Sequence, residues 1–224
     1  MFMNQLAKLL LVAALGAAGT DALAMGGGTI FVGQRSADFH RFTGGKGYEV
    51  ASGTDFTLEA YADPFQGLPL GLGLFYSSQS YNVSGDDHLF DEASVTEIGP
   101  VVQVWTTVAN DKYRGFARYA HTLIGSFEGK VQADRTMETG GGTTAYDSGS
   151  KWEANLSGPH VSVGLLIGTE DAGAGLVLDM GFQHSQIKKI EAYGEDRTAQ
   201  YAPYMKTDSD FQSTALLLAV QARH

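Results

Sequence analysis

Cysteine is absent from the 224 residues, which removes disulfides, thiolate metal sites and cysteine nucleophiles together. Basic residues are scarce: 15 Lys and Arg stand against 25 Asp and Glu, the net charge is -10, and no basic run occurs. Binding a polyanion needs a clustered excess of Lys and Arg that releases counterions, so the sequence argues against nucleic acid as a partner. After the first two dozen residues no apolar run approaches the ~20 residues of a membrane-spanning helix. The P-loop, H-E-x-x-H, G-x-S-x-G and dinucleotide patterns are missing as well. Aromatics are not scarce, and 10 Tyr, 12 Phe and 2 Trp supply the apolar surface that a disordered chain lacks.

The amino terminus reads as a secretory leader. Lys8 is the positive n-region, Leu9 to Ala18 the apolar h-region, and Ala22-Leu23-Ala24 an A-x-A cleavage site. Residues 1–24 are therefore expected to be a cleavable signal peptide and residues 25–224 one domain. Lys8 and Asp21 leave together, so the mature charge stays at -10.

The mature chain alternates with period two. In residues 68–76, Leu68, Leu70, Leu72, Leu74 and Tyr76 share a face while Pro69, Gly71, Gly73 and Phe75 share the other, which is strand periodicity and not the helical 3.6. The same alternation sets Phe56, Leu58, Ala60 and Ala62 against Thr57, Glu59 and Tyr61, and Ile98, Pro100, Val102 and Val104 against Glu97, Gly99, Val101 and Gln103. It continues with Val161, Val163 and Leu165 against His160, Ser162 and Gly164, and with Leu176, Leu178 and Met180 against Val177, Asp179 and Gly181. Leu216, Leu218, Val220 and Ala222 oppose Ala215, Leu217, Ala219 and Gln221. Two further strands, 29–36 with its faces unassigned and 112–124 with Arg114 and Arg118 on one face, bring the expected total to eight.

Connections between these strands alternate in length. Long polar stretches at 37–53, 82–93, 125–151 and 187–210 share one end, and short turns at 63–67, 110–111 and 170–175 share the other. Antiparallel neighbours need only short connections, so long ones confined to one end are a feature of that end. An echo of Gly-Pro phase, GPVVQV from Gly99 and GPHVSV from Gly158, places two prolines at expected strand starts or bulges near the rim, because proline lacks the ladder N–H.

On the leader, the eight alternating strands and the loop asymmetry, the chain resembles the small eight-stranded outer-membrane barrels of the OmpA and OmpX type. The resemblance covers the whole mature chain and implies an all-β, eight-stranded antiparallel up-and-down transmembrane barrel in a bacterial cell outer membrane. It also implies contact with outer-membrane lipids and lipopolysaccharide, and insertion by the barrel assembly machinery, which reads a last strand with apolar residues at alternate positions. That alternation is present at Leu216, Leu218, Val220 and Ala222, although the terminal residue is His224 where those families place an aromatic.

The residues support this reading on their own. Inside lipid every backbone N–H and C=O must be paired, so spanning strands must close on themselves, and eight strands leave an interior only wide enough for side chains. Leu70, Leu72, Val102, Val104, Val163, Leu165, Leu178 and Met180 are expected to face lipid. Glu59, Glu97, Arg114, Arg118 and Asp179 are expected to face inward and form a network that plugs the lumen, with Glu97 and Arg114 nearer opposite ends. Tyr76, Tyr81, Tyr119, Trp152 and Phe182 are candidate girdle aromatics.

No catalytic, cofactor or metal residues are expected. The acidic stretch GDDHLFDE from Gly85 lacks EF-hand spacing and its glycine, so it reads as solvated loop charge before it reads as a calcium site. Some small barrels modify lipid A with a close His and Ser, and here His160 lies two from Ser162 and His184 adjoins Ser185. The first pair falls on the inward face, away from a lipid substrate, which favours a buried polar pair. A secreted lipocalin-like barrel would need the bulky faces inside and would leave Glu59, Glu97, Arg118 and Asp179 outside. Recognition of an extracellular partner in adhesion or another interaction is expected at 125–151 and 187–210, since loops tolerate change and carry function.

Overall fold

The computed structural model describes residues 26–39, 50–63, 68–84, 88–109, 112–132, 135–139, 142–146, 148–169, 172–202 and 208–223. The expected leader at 1–24, most of the 63–67 turn, the 110–111 turn and His224 lie outside the described residues.

Eight long strands follow in order: β1 (Gly26–Asp38), β2 (Val50–Ala62), β3 (Leu70–Ser84), β4 (Glu92–Ala109), β5 (Tyr113–Lys130), β8 (Lys151–Gly168), β9 (Ala172–Ala192) and β11 (Asp208–Arg223). Among the described residues, three short strands, β6 (Arg135–Thr139), β7 (Gly142–Tyr146) and β10 (Glu195–Asp196), and one helical turn, α1 (Thr198–Tyr201), lie between them. Each long strand pairs antiparallel with its neighbours in sequence, and β1 pairs with β11 from Gly27↔Arg223 to Ala37↔Ser213. With β8 paired to β9, the sheet closes into an eight-stranded up-and-down barrel. Closure leaves no free edge along the paired lengths, which is what a strand needs where no water can satisfy its backbone.

Side chains obey the alternation. Leu72, Val104, Val163, Leu165, Leu178 and Met180 point outward and are exposed, with Leu70 and Val102 on the same rows and partly covered by neighbours. The unassigned phase of the first strand is resolved: Ile30 and Val32 face out, and Phe31 and Arg35 face in. Outward positions through the middle of the barrel are apolar, then turn to Ser and Asn on β3 and to Ser, Glu and Lys on β5 as the strands continue toward the long-loop end.

The strands are longer than the alternation suggests, and this corrects the expected loops. β5 runs on to Lys130 and β8 begins at Lys151, so most of the expected 125–151 loop is strand or the β6–β7 hairpin, and β9 likewise extends into 187–210. The reason is an inner lining that resumes above the apolar rows. Phe39, Tyr81, Leu89, Phe90, Phe127, Trp152 and Phe211 form a buried aromatic cluster at that end. Tyr81 and Trp152 are accordingly lumen residues, each 1% exposed, and not girdle aromatics, whereas Tyr119 faces out at 49% exposure. Of the acidic stretch, residues 85–87 lie outside the described residues, while Leu89 and Phe90 belong to the same cluster, Phe90 meeting Phe127 and Trp152 edge-on with ring centres 5.3 and 5.4 Å apart.

The two prolines of the Gly-Pro echo lie within strands, not at a rim. Pro100 falls where the β4–β5 register shifts between Ile98 and Val101, and Pro159 pairs with His121 beside the β5–β8 shift between Thr122 and Gly125. A bulge breaks the ladder locally, which is where a residue without an N–H fits. The same bulge turns both Leu123 and Ile124 outward.

The outward apolar belt yields a direct test. Leu72→Arg is expected to destabilise folding into phospholipid vesicles by about 2–4 kcal/mol if Leu72 lies at the midplane, read from urea unfolding. Wild-type stability for this variant would overturn the face assignment.

Candidate functional site

The lumen is layered. Toward the long-loop end lies the aromatic cluster, and toward the short-turn end a second cluster holds Phe31, Tyr61, Trp105, Phe116, Leu166 and Leu217. Between them lies a belt of charge, supplied by inward positions on β1, β2, β4, β5, β8 and β9.

Asp179 on β9 is the centre of that belt. Arg35 Nη2 donates to its Oδ2 at 2.5 Å, Arg118 Nη1 donates to its Oδ1 at 3.1 Å, and Ser162 Oγ donates to the same Oδ1. His160 Nδ1 lies 3.1 Å from Oδ2. Each guanidinium then reaches a second carboxylate, Arg35 Nε donating to Asp55 at 2.6 Å and Arg118 Nε donating to Glu59. Arg35 Nη1 also donates to Ser213 Oγ at 2.9 Å. Arginine suits this task because a planar fork of donors can hold two carboxylates at once. The Arg118 guanidinium lies between the rings of Phe31 and Phe75, at 5.6 and 5.4 Å from their centres.

The network continues upward through His160, whose Nε2 lies 3.1 Å from Glu97 Oε2. Glu97 also accepts from Gln79 Nε2 at 2.8 Å and from Thr122 Oγ1 at 2.9 Å, and Tyr81 closes the chain by donating to Gln79 Oε1 at 2.5 Å. Space for His160 is made by Gly181, where a Cβ would stand 2.8 Å from the imidazole and 2.6 Å from Ser213 Oγ. The cavity left among Phe31, Arg35, Phe75, Arg118 and Asp179 is about 10 Å³, roughly one water-sized sphere.

Of the inward residues singled out in the sequence, Glu59, Arg118 and Asp179 meet directly, and Glu97 joins them through His160 instead of standing apart toward one end. Arg114 is also inward and buried, but sits lower, beside Gly173. Sequence reasoning missed Arg35 and Asp55, the first because the phase of β1 was open, the second because the expected strand only began there. Their signal was the parity they share with Phe31 and Glu59.

Neither His–Ser pair forms a dyad. His160 has its ring nitrogens turned to Asp179 and Glu97 while Ser162 bonds Asp179 and Arg118, all of them inside the barrel. His184 and Ser185 face opposite sides of the wall: His184 sits outside between Asp208 and Asp210, at 2.7 and 2.9 Å, and Ser185 donates inward to the Ser209 carbonyl at 2.8 Å. Among the described residues no cluster of His, Asp or Glu has the geometry of a metal site. Above the barrel, Asp196 accepts from the Thr198 hydroxyl at 2.6 Å and its backbone N–H at 2.9 Å, which holds the Asp196 carboxyl below its ordinary range.

No protein-family model and no curated protein matches the chain. Among solved structures it is similar to the Neisserial surface protein NspA, at 12% identity and a TM-score of 0.42 over 88% of this chain and 96% of that one. It is similar also to Ail, the attachment invasion locus protein of Yersinia pestis, at 10% identity and a TM-score of 0.37, covering 89% and 99%. The translocator domain of the autotransporter NalP from Neisseria meningitidis follows at 10% identity and a TM-score of 0.35, covering 99% and 96%. The barrel assignment itself stands on the strand pairing of this chain.

Removing one partner of a buried charge network leaves the others uncompensated. Arg118→Ala is expected to destabilise the barrel by roughly 3–5 kcal/mol. Asp179→Ala, which strips a partner from Arg35, Arg118 and His160 together, should be the more damaging of the two. Urea unfolding in vesicles, followed by the fluorescence of Trp105 and Trp152, measures both. Unchanged midpoints would show that these contacts do not hold the lumen.

Proposed function

We propose that this chain is an integral bacterial outer-membrane barrel with a lumen closed by its own side chains, acting structurally and through the surface at its long-loop end in adhesion or another interaction. The observation that carries the reading is Asp179, which ties Arg35, Arg118 and His160 together across the barrel between two layers of packed aromatic and apolar side chains. An open pore needs a water-filled path, and charges in a narrow lumen are tolerated when paired and hydrogen-bonded.

The outward rows support the membrane part. Leu72, Val104, Val163, Leu178 and Leu216 are exposed on a wall whose inside is charged, the reverse of a soluble ligand-binding barrel of lipocalin type. On this reading lipid and lipopolysaccharide cover the wall, the barrel assembly machinery inserts it, and the polar outward rows and tips toward the long-loop end meet any extracellular partner. The His160–Ser162 pair is assigned a structural role, since its polar atoms are used within the network.

Planar-bilayer recording tests the closed lumen: wild type is expected to give no steady single-channel current, and large, steady currents would rule the reading out. Topology has its own check. Protease added to intact cells is expected to cut within 125–151 or 187–210, whereas cutting confined to 63–67 would place the short-turn end outside.

A further inference from the structure

On the outer wall, at the upper edge of the apolar rows, the β5–β8 bulge opens a groove of about 320 Å³. One lip is Leu123 and Ile124, two successive side chains turned outward by the bulge and 66% and 71% exposed. The opposite side is neutral and polar: Asn155 and Ser157 on β8, and Gln186 on β9. His184 stands at the end, with Asp208 at 2.7 Å and Asp210 at 2.9 Å on its two ring nitrogens. Directly below, the wall is apolar at Val161, Met180 and Phe182.

We propose that this groove is a binding site for a single amphiphile of the bilayer whose head group is rich in neutral hydroxyl or amide groups, that is, a glycolipid. The proposal rests on the membrane reading above, in which lipid and lipopolysaccharide cover the wall, and adds to it one site and the neutral head-group chemistry which that site selects. Continuity with the apolar rows selects an occupant that is itself part of the bilayer: an acyl chain rising past Val161, Met180 and Phe182 reaches the level of Leu123 and Ile124 at Pro159, with the partly exposed His121 of β5 paired beside that proline. The lining selects the head group. Side-chain amides and a hydroxyl offer both donors and acceptors at neutral charge, which suits sugar hydroxyls and acyl amides. A phosphate is disfavoured, since the one basic side chain of the lining is engaged by two carboxylates, and those carboxylates repel an anion at this short range. The bulge therefore does more than accommodate Pro159. It turns two successive apolar residues outward at the upper edge of the apolar rows, beside the polar side chains of β8 and β9.

The absence of cysteine makes the test specific, because one introduced thiol is the sole labelling site. Ser157→Cys carries a fluorophore in the groove, Thr54→Cys one on β2 at a comparable outward position beyond Phe56, and Leu72→Cys one within the apolar rows. Each labelled full-length barrel is reconstituted in phosphatidylcholine vesicles containing a minor fraction of either a glycolipid, monoglucosyl diacylglycerol, or phosphatidylglycerol, brominated on the acyl chain near the head group so that it quenches on contact. The expected result is a relative affinity for the brominated glycolipid about fivefold higher at position 157 than at position 54, or about 1 kcal/mol. No such preference is expected for brominated phosphatidylglycerol. Leu123→Ser with Ile124→Ser, two exposed positions, should abolish the preference while heat-resistant mobility on electrophoresis reports an intact barrel.

Equal quenching at 157 and 54, or preference for phosphatidylglycerol, would overturn the proposal in favour of ordinary boundary lipid. Disulfide cross-linking between two unlabelled chains of the Ser157→Cys variant in the same vesicles would overturn it in favour of a second copy of the chain. Quenching at position 72 but none at 157 by any lipid would place the groove in water and overturn the site alone. Quenching at neither position would instead overturn the membrane reading from which it starts.

Discussion

Everything else in this molecule depends on the pairing of β1 with β11, which joins the two ends of the sheet and leaves each long strand hydrogen-bonded on both sides. An open sheet of this composition would present unpaired N–H and C=O groups along two edges, each costing several kcal/mol in hydrocarbon. Closure also divides the side chains. With period-two alternation and a wall one strand thick, each residue has two addresses, the lumen or the outside, and neighbouring strands must agree on the phase. The apolar rows and the charged belt are two sides of that one condition.

Closing eight strands leaves an interior only about wide enough for side chains, and the inward side chains of the described residues sort by level. Where aromatics face in, they pack edge to face, as Phe39 does with Tyr81, Phe127 and Phe211. Where charges face in, they find one another, and the stoichiometry of the belt, two guanidinia and one imidazole among Asp55, Glu59, Glu97 and Asp179, makes a shared carboxylate the natural centre. Asp179 serves two guanidinia because each of them has a private carboxylate on its other side. Arg223 gives a smaller version at the short-turn end, bonding Asp63 at 2.5 Å and resting its guanidinium 4.5 Å from the ring centre of Trp105.

Irregularity is concentrated on β5. Its pairings with both neighbours show a shift in register, against β4 near Pro100 and against β8 near Pro159, and between them Leu123 and Ile124 are turned to the same side. A proline on each flanking strand removes a ladder donor, and a bulge on the strand between them absorbs the mismatch. The result is a place on the wall where the outside is not smooth.

The sequence by itself determined the fold class and the inside–outside phase of most strands, because alternation against Gly, Glu, Gln and Asp is a local property that each segment carries alone. It thereby put Glu59, Glu97, Arg114, Arg118 and Asp179 on one face. Parity could also have placed Tyr81 with Phe75 and Gln79 on the lumen side, and its aromatic character, which suits a membrane boundary equally well, obscured that. Which charged groups meet was decided only by the tertiary structure. Height in a barrel depends on strand stagger summed around the closed sheet, so residues as far apart as Arg35 and Asp179 become neighbours through register, 144 positions away in the chain. The strand lengths were decided the same way: the aromatic cluster that carries β5, β8 and β9 past the apolar rows exists only once strands from the whole chain bring Phe39, Phe90, Trp152 and Phe211 to a common level, and no local pattern announces it.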